Sequence, residues 1–223
     1  MFSEALHILW TYRQGFLSGL KVTLELAVIV WVVGIIGGAL LGFAAHRYRM
    51  SIGWTVRAAA FTLSSLPILV FLFWLHYPAQ AAFNIVIDPF LTASFAFSMV
   101  NLFAMGELVR GALDDFPKQY ITAARVCGLT PQQTAFKIQL PILLRQILPG
   151  LLMLQITMLH TTLFASLISV EEIFRVAQRI NASIYKPVEI YTALGIFFII
   201  VCLPVHTLAW WMKQKFTRDL SER

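Results

Sequence analysis

Charge is scarce in this chain. Only 13 % of its 223 residues are Asp, Glu, Lys or Arg, whereas 59 % are hydrophobic. A soluble domain of this length has no interior large enough for so much apolar side chain, and the mean hydropathy of +0.76 excludes a water-soluble globular protein in favour of one that lives in a bilayer. Cysteine is equally rare. Cys127 and Cys202 fall in segments expected in or facing the cytoplasm, where thiols stay reduced, so no disulfide is expected. The G-x-x-x-x-G-K-[ST] phosphate cradle is missing, which excludes nucleotide chemistry of that type on this chain. No His/Cys or His/Glu group has metal-ligand spacing, and no cofactor of its own is expected. A short apolar run followed by a small-residue cleavage site is missing too, so the amino terminus is expected to be retained.

What is present is a series of apolar runs near the ~20 residues that a helix needs to cross a bilayer. Residues 3–18 mix Leu6, Leu9, Trp10 and Leu17 with Arg13 at helical spacing, a pattern expected of an amphipathic helix over 1–18 in the membrane interface. The first span is expected at about 20–45. Gly34, Gly38 and Gly42 repeat every four residues within it, which either makes a smooth stripe for close helix approach or reflects the general glycine richness of membrane helices. A second span, about 54–77, is interrupted at Ser64, Ser65, Leu66 and Pro67, where proline frees a backbone carbonyl and breaks the helix. A third covers about 89–109. A polar stretch from 110 to 145 precedes a fourth span at about 148–168. Residues 170–187 are too charged to cross and read as a surface helix and loop. The last span, about 188–211, ends on Trp210 and Trp211 as interfacial anchors.

Five spans place the termini on opposite sides. Segments 46–57, 110–145 and 213 onward hold 12 of the 17 Lys and Arg, so the positive-inside rule puts the amino terminus outside and the carboxyl terminus in the cytoplasm. The formal net charge of +6 is then a matter of topology and calls for no nucleic acid.

Within the cytoplasmic stretch, "ITAARVCGLTPQQTAFKI" (121–138) has the look of a DNA-reading helix-turn-helix. Gly128 supplies the corner, and Thr130 with Pro131 opens a second helix. A recognition helix must enter a major groove, which is hard to arrange when membrane spans flank it on both sides. Two short helices on a glycine corner also make a rigid knob for a groove on another protein. An inert loop is the third reading.

The stretch "GELVRGALDDFPKQYITAARVCGLTPQQTAFKIQLPILLRQILPG" closely resembles the EAA loop of permease subunits of ATP-binding cassette (ABC) importers, in particular the polar amino acid uptake family. Thr122, Ala123 and Ala124 stand at the Glu-Ala-Ala positions, Gly128 and Leu129 follow, and Leu140 with Pro141 closes the motif. "GLKVTLELA" at 19–27 is similar to the family's entry into its first span. "SLISVEEIFRVAQRINASIYKPVEIYTAL" resembles its link between the last two. The resemblance implies an all-α membrane protein, a single permease domain over 1–223 with five transmembrane helices and the type I importer fold, in the bacterial inner membrane. It also implies a 110–145 coupling loop gripped by a separate ATP-binding subunit dimer that binds ATP and Mg, a second permease subunit, identical or homologous, and an external substrate-binding protein. No enzyme activity of its own is implied. Thr122 departs from the family's glutamate.

Polar side chains inside spans are candidates for a substrate pathway. Gln155, Thr162, Ser166 and Ser169 share one face of the fourth span, with His160 and Thr161 beside it. Where the family reads Lys-Asp-Thr-Ser, this chain has His160, Thr161, Thr162 and Leu163; where it reads Arg-Gly-Thr-Pro, this chain has Ser64, Ser65, Leu66 and Pro67. The family's Lys-Asp pair and its arginine are all absent. The implied cargo is an amino acid or a derivative such as an opine, held by hydroxyls, by backbone at the break or by the partner permease. Hydroxyls in membrane helices also bond their own backbone, which is the competing reading for Ser64, Ser65, Thr161 and Thr162. For His160 packing competes with substrate contact. Asn101 reads as helix-helix glue and Glu107 with Arg110 as a local ion pair. An ion-gradient transporter or channel is the alternative function; it calls for inverted repeats, two broken helices and a mid-membrane carboxylate.

Overall fold

The computed structural model describes residues 2–221, and among them every regular element is a helix. Helix α1 (Phe2–Thr11) turns at Tyr12 into α2 (Arg13–Arg47), and α3 (Arg49–Ser65) and α4 (Ile68–Phe83) meet at a bend of 97°. Next come α5 (Pro89–Asp114), α6 (Lys118–Val126), α7 (Pro131–Ile168), α8 (Ile173–Ile184) and α9 (Pro187–Ser221). Four of these helices are long and apolar enough to cross a membrane, and the bent α3/α4 pair counts as a fifth span. The side chains of Leu6 and of the last residues of α9, including Arg218, lie outside the described residues, as do Met1 and the final two positions.

The spans start and stop where backbone chemistry allows. Asp88 caps α5 by accepting from the N–H groups of Phe90 and Leu91 at 2.8 and 3.3 Å, and Pro89 fills the first helical position, where a missing N–H costs nothing. Pro67 ends α3, because the residue before a proline is pushed out of the helical region and Leu66 is extended (φ −90°, ψ 129°). The expected span limits were too short. Residues 13–18, read with the amphipathic segment, are the opening turns of α2. The expected polar stretch 110–145 is largely helix, since α5 continues to Asp114 and α7 begins at Pro131. Hydropathy registers where apolar side chains stop, whereas a helix runs on until its backbone bonding is interrupted.

α5 is the central element. The glycine stripe of α2 lies against it, as the close-approach reading requires. A Cβ on Gly34 would sit 2.0 Å from Asn101 Nδ2, one on Gly38 2.6 Å from Met105 Cβ, and one on Gly42 2.4 Å from the Gly106 carbonyl oxygen. The main core joins Leu26 and Val30 of α2, Leu72 of α4, Ala93, Ala96 and Phe97 of α5, and Met158, Ala165 and Ile168 of α7.

Residues 170–187 are more than a surface helix. The apolar face of α8 (Ile173, Val176, Ala177, Ile180) is buried against Ile8 of α1 and Ile190 and Leu194 of α9, and only its charged face is free. Large apolar residues such as Ile36, Leu40, Phe61, Ile200 and Leu203 point outward, as expected where lipid or another subunit is the solvent.

Candidate functional site

The corner between α6 and α7 is built by local bonding. Gly128 adopts φ +74°, a left-handed conformation that only glycine takes cheaply. That turn lets the Leu129 N–H reach the Ala124 carbonyl at 3.0 Å and the Gly128 N–H reach that of Arg125 at 3.1 Å, which closes the end of α6. Thr130 then opens α7 with a reciprocal cap. Its hydroxyl accepts from the Gln133 N–H at 3.3 Å, and the Gln133 side chain accepts from its N–H at 3.0 Å. Ala124 is buried and holds the knob together, whereas Thr122, Ala123, Val126, Cys127 and Gly128 are exposed and Leu129 is half-buried. Pro141 lies exposed in the continuous run of α7.

At the break in the second span, Ser64, Ser65, Leu66 and Pro67 are all exposed. Both hydroxyls donate to the Phe61 carbonyl, at 2.9 and 2.8 Å, so they satisfy their own helix while keeping lone pairs outward. An apolar groove of about 630 Å³ runs from Ser64 and Phe61 along α3 and α5 to Arg57 and Glu107.

In the middle of the bundle Asn101 donates to the Val30 carbonyl at 2.9 Å and to Gln155 Oε1 at 3.0 Å, and Gln155 donates back at 3.4 Å. Trp31 Nε1 donates to the Gln155 carbonyl at 3.0 Å. The node ties α2, α5 and α7 where no water competes.

Thr162 is fully buried with its hydroxyl on the Leu159 carbonyl at 2.7 Å, and Thr161 is buried with its hydroxyl on that of Thr157 at 2.8 Å. His160 is exposed, edge-on to Phe198 of α9 at 6.1 Å between ring centres. Gln155, His160, Thr161 and Thr162 thus share α7. None of them hydrogen-bonds to Ser64 or Ser65 among the described residues, and none lines the groove beside Ser64.

Two features escaped the sequence reading. Glu172, with no exposed surface, caps α8 by accepting from the N–H groups of Phe174 and Arg175 at 2.9 and 2.8 Å. Thr23 of α2 supports the same turn, its hydroxyl accepting from the Ile173 N–H at 3.0 Å. Burial pushes the Glu172 carboxyl up to about 7, although the two backbone bonds and Thr23 favour its charged form. The signal was an acid directly before an apolar-periodic helix. At the other end of the bundle, Arg110 pairs with Glu107 as expected and also with Asp114, which His46 and Arg49 meet as well. Spacing along α5 pointed to Asp114, four residues after Arg110, but the contributions of α2 and α3 are long-range.

The family model described as "Binding-protein-dependent transport system inner membrane component" matches residues 11–218. The chain is 31 % identical over 215 residues to the L-cystine transport system permease protein TcyB of Bacillus subtilis, covering 96 % of this chain and 90 % of that protein. It is 31 % identical over 201 residues to the glutamine transport system permease protein GlnP of Escherichia coli, covering 87 % and 90 %. Among solved structures, that of an amino acid ABC transporter with histidines superposes with a TM-score of 0.81 at 21 % identity, over 93 % of this chain and 96 % of the other.

Proposed function

This chain belongs to the family of binding-protein-dependent transport system inner membrane components, and on that premise we propose that it is the membrane-spanning subunit of an ATP-driven importer for amino acids or amino acid derivatives. The corner formed by α6 and the start of α7 is its handle, with Thr122, Ala123, Gly128 and Leu129 docking into a separate ATP-binding subunit, while Ala124, expected among them, is buried and supports the corner from within. Pro141 lies where the handle passes into the span.

The observation that carries this reading is the continuity of α7. The capped turn at Thr130 opens one helical run from Pro131 to Ile168, which passes through a π turn at Ala135–Gln139 and tightens to a 3-10 turn at Leu163–Ile168. At 1.5 Å per residue, such a helix delivers a push on its exposed end about 50 Å into the bundle. ATP and Mg bind the partner subunits, and their closure favours one of two arrangements of the spans because the two arrangements present the handle differently. A second permease subunit, the same or homologous, completes the pathway, and an external binding protein delivers cargo. The cystine and glutamine permeases it resembles and the matched amino acid transporter structure support the amino acid class.

Ser64 and Ser65, exposed at the break, are the side chains we assign to the pathway wall, together with His160 on α7. Gln155, Thr161 and Thr162 stand behind that wall and fix its shape. The handle faces the cytoplasm, as the Lys and Arg distribution supports.

Reconstitution tests the whole reading. Proteoliposomes holding this chain with its ATP-binding subunit, its permease partner and the cognate binding protein are expected to accumulate labelled amino acid only with ATP. Uptake by this chain alone, driven by an ion gradient, overturns the proposal.

A further inference from the structure

Asp114 ends α5, four residues before α6 begins. Its carboxylate is met by side chains from three helices. His46 Nδ1, near the end of α2, lies 2.7 Å from Oδ1, and Arg49 Nη2, at the start of α3, lies 2.8 Å from the same oxygen. Arg57 Nη2, two turns further along α3, lies 3.6 Å from Oδ2, where Arg110 of α5 also bonds. Arg110 bonds Glu107 as well. The Asp114 side chain is only 16 % exposed and that of Arg110 12 %, whereas Arg49 and Arg57 reach in from the exposed side at 66 % and 56 %. One carboxylate has about four acceptor positions, and here they are shared among four donors.

The three helices differ in how else they are joined. α2 and α5 are locked by the glycine contacts at Gly34, Gly38 and Gly42. Between α3 and α5 lies the open groove lined by Ala60, Phe61, Phe103 and Ala104, so side-chain packing there is incomplete. Beside the buried Val56 and the close approach of Gly53 to the Ala45 carbonyl of α2, the charge cluster ties α3 to the end of α5, and α3 carries the break at Ser64–Pro67.

We propose that Asp114 is a positioning residue for coupling: it makes α3, and with it the break, follow the segment that leads into α6. The inference rests on the reading of the chain as an ATP-driven importer subunit. Without the carboxylate, a push on α6 still reaches α5 and α7. Arg49 and Arg57 then face Arg110 with Glu107 as the remaining nearby carboxylate, and α3 loses its ionic tie to the end of α5.

The reconstituted assembly tests this in two stages. Wild-type vesicles must first show ATP-dependent uptake; if they do not, the importer reading fails and this inference falls with it. If they do, Asp114→Asn is expected to lower solute moved per ATP hydrolysed about fivefold or more, the lower end of usual coupling strengths, while hydrolysis continues. Asp114→Glu is expected to restore most of the ratio. Asp115→Asn, at an exposed neighbour with no ion pair among the described residues, is expected to leave the ratio unchanged. The double variant Arg49→Gln/Arg57→Gln alters only exposed side chains and leaves His46 and Arg110 on Asp114, so it decides the matter even where Asp114→Asn fails to reach the membrane. It is expected to reproduce the loss. A wild-type ratio in the double variant, or in Asp114→Asn, overturns the proposal with the importer reading intact.

Discussion

Asn101 and Gly34 depend on each other. The amide of Asn101 occupies the space that any β-carbon at position 34 would need, and from there it reaches Val30 and Gln155. Gly34→Ala is therefore expected to push Asn101 off its partners and to cost about 1–3 kcal/mol, the usual range for overpacking a tight site. A lowered unfolding temperature in detergent checks it. Glu172 makes a prediction of opposite kind, because its burial favours the neutral acid. A carboxyl whose folded pKa stands at about 7, above the ordinary 4.5, binds its proton more tightly folded than unfolded. Its contribution to stability is full below about pH 4.5 and is lost as pH rises through about 7. Glu172→Gln is expected to flatten the fall in unfolding temperature between pH 5 and pH 7.5, and an unchanged slope counts against the assignment.

At the level of elements, the corner at Gly128 is where a single change acts through geometry. Its φ of +74° is outside the range that β-branched residues tolerate, although there is open space around it. Gly128→Val is expected to misplace α6 relative to α7 and to uncouple ATP hydrolysis from uptake, while the spans still insert. Uptake at the wild-type rate removes the docking role. The same corner was readable in the sequence, because capping and glycine turns are local chemistry: Thr130, Pro131 and Gln133 specify the start of α7 within four residues. The helix ends beyond it were less readable. Residues 110–114 and 131–145 fall outside the expected spans because they are polar, yet their backbones continue the helices of α5 and α7. α8 looked like surface for the same reason, since five of its 12 residues are charged or polar and its buried stripe is visible only against α1 and α9.

For the whole molecule, orientation is the open physical variable, and the chain carries its own probe. Cys127 is exposed at the corner and Cys202 is buried in α9. A membrane-impermeant maleimide is expected to label Cys127 in inside-out vesicles and not in intact spheroplasts. Labelling from the outside reverses the topology and, with it, the place of the handle.

The sequence by itself determined that the chain lives in a bilayer, how many times it crosses, where the broken span lies and where the glycine corner falls. Each of those depends on hydropathy or on bonds between residues a few positions apart, so the information is local. Only the tertiary structure decided that Gln155 bonds Asn101 inside the bundle, that Glu172 is sealed against α2, and that Asp114 gathers partners from α2, α3 and α5. Partners dozens of residues apart meet only when helices pack, and which faces pack follows from the shape of the assembled core, which composition does not encode.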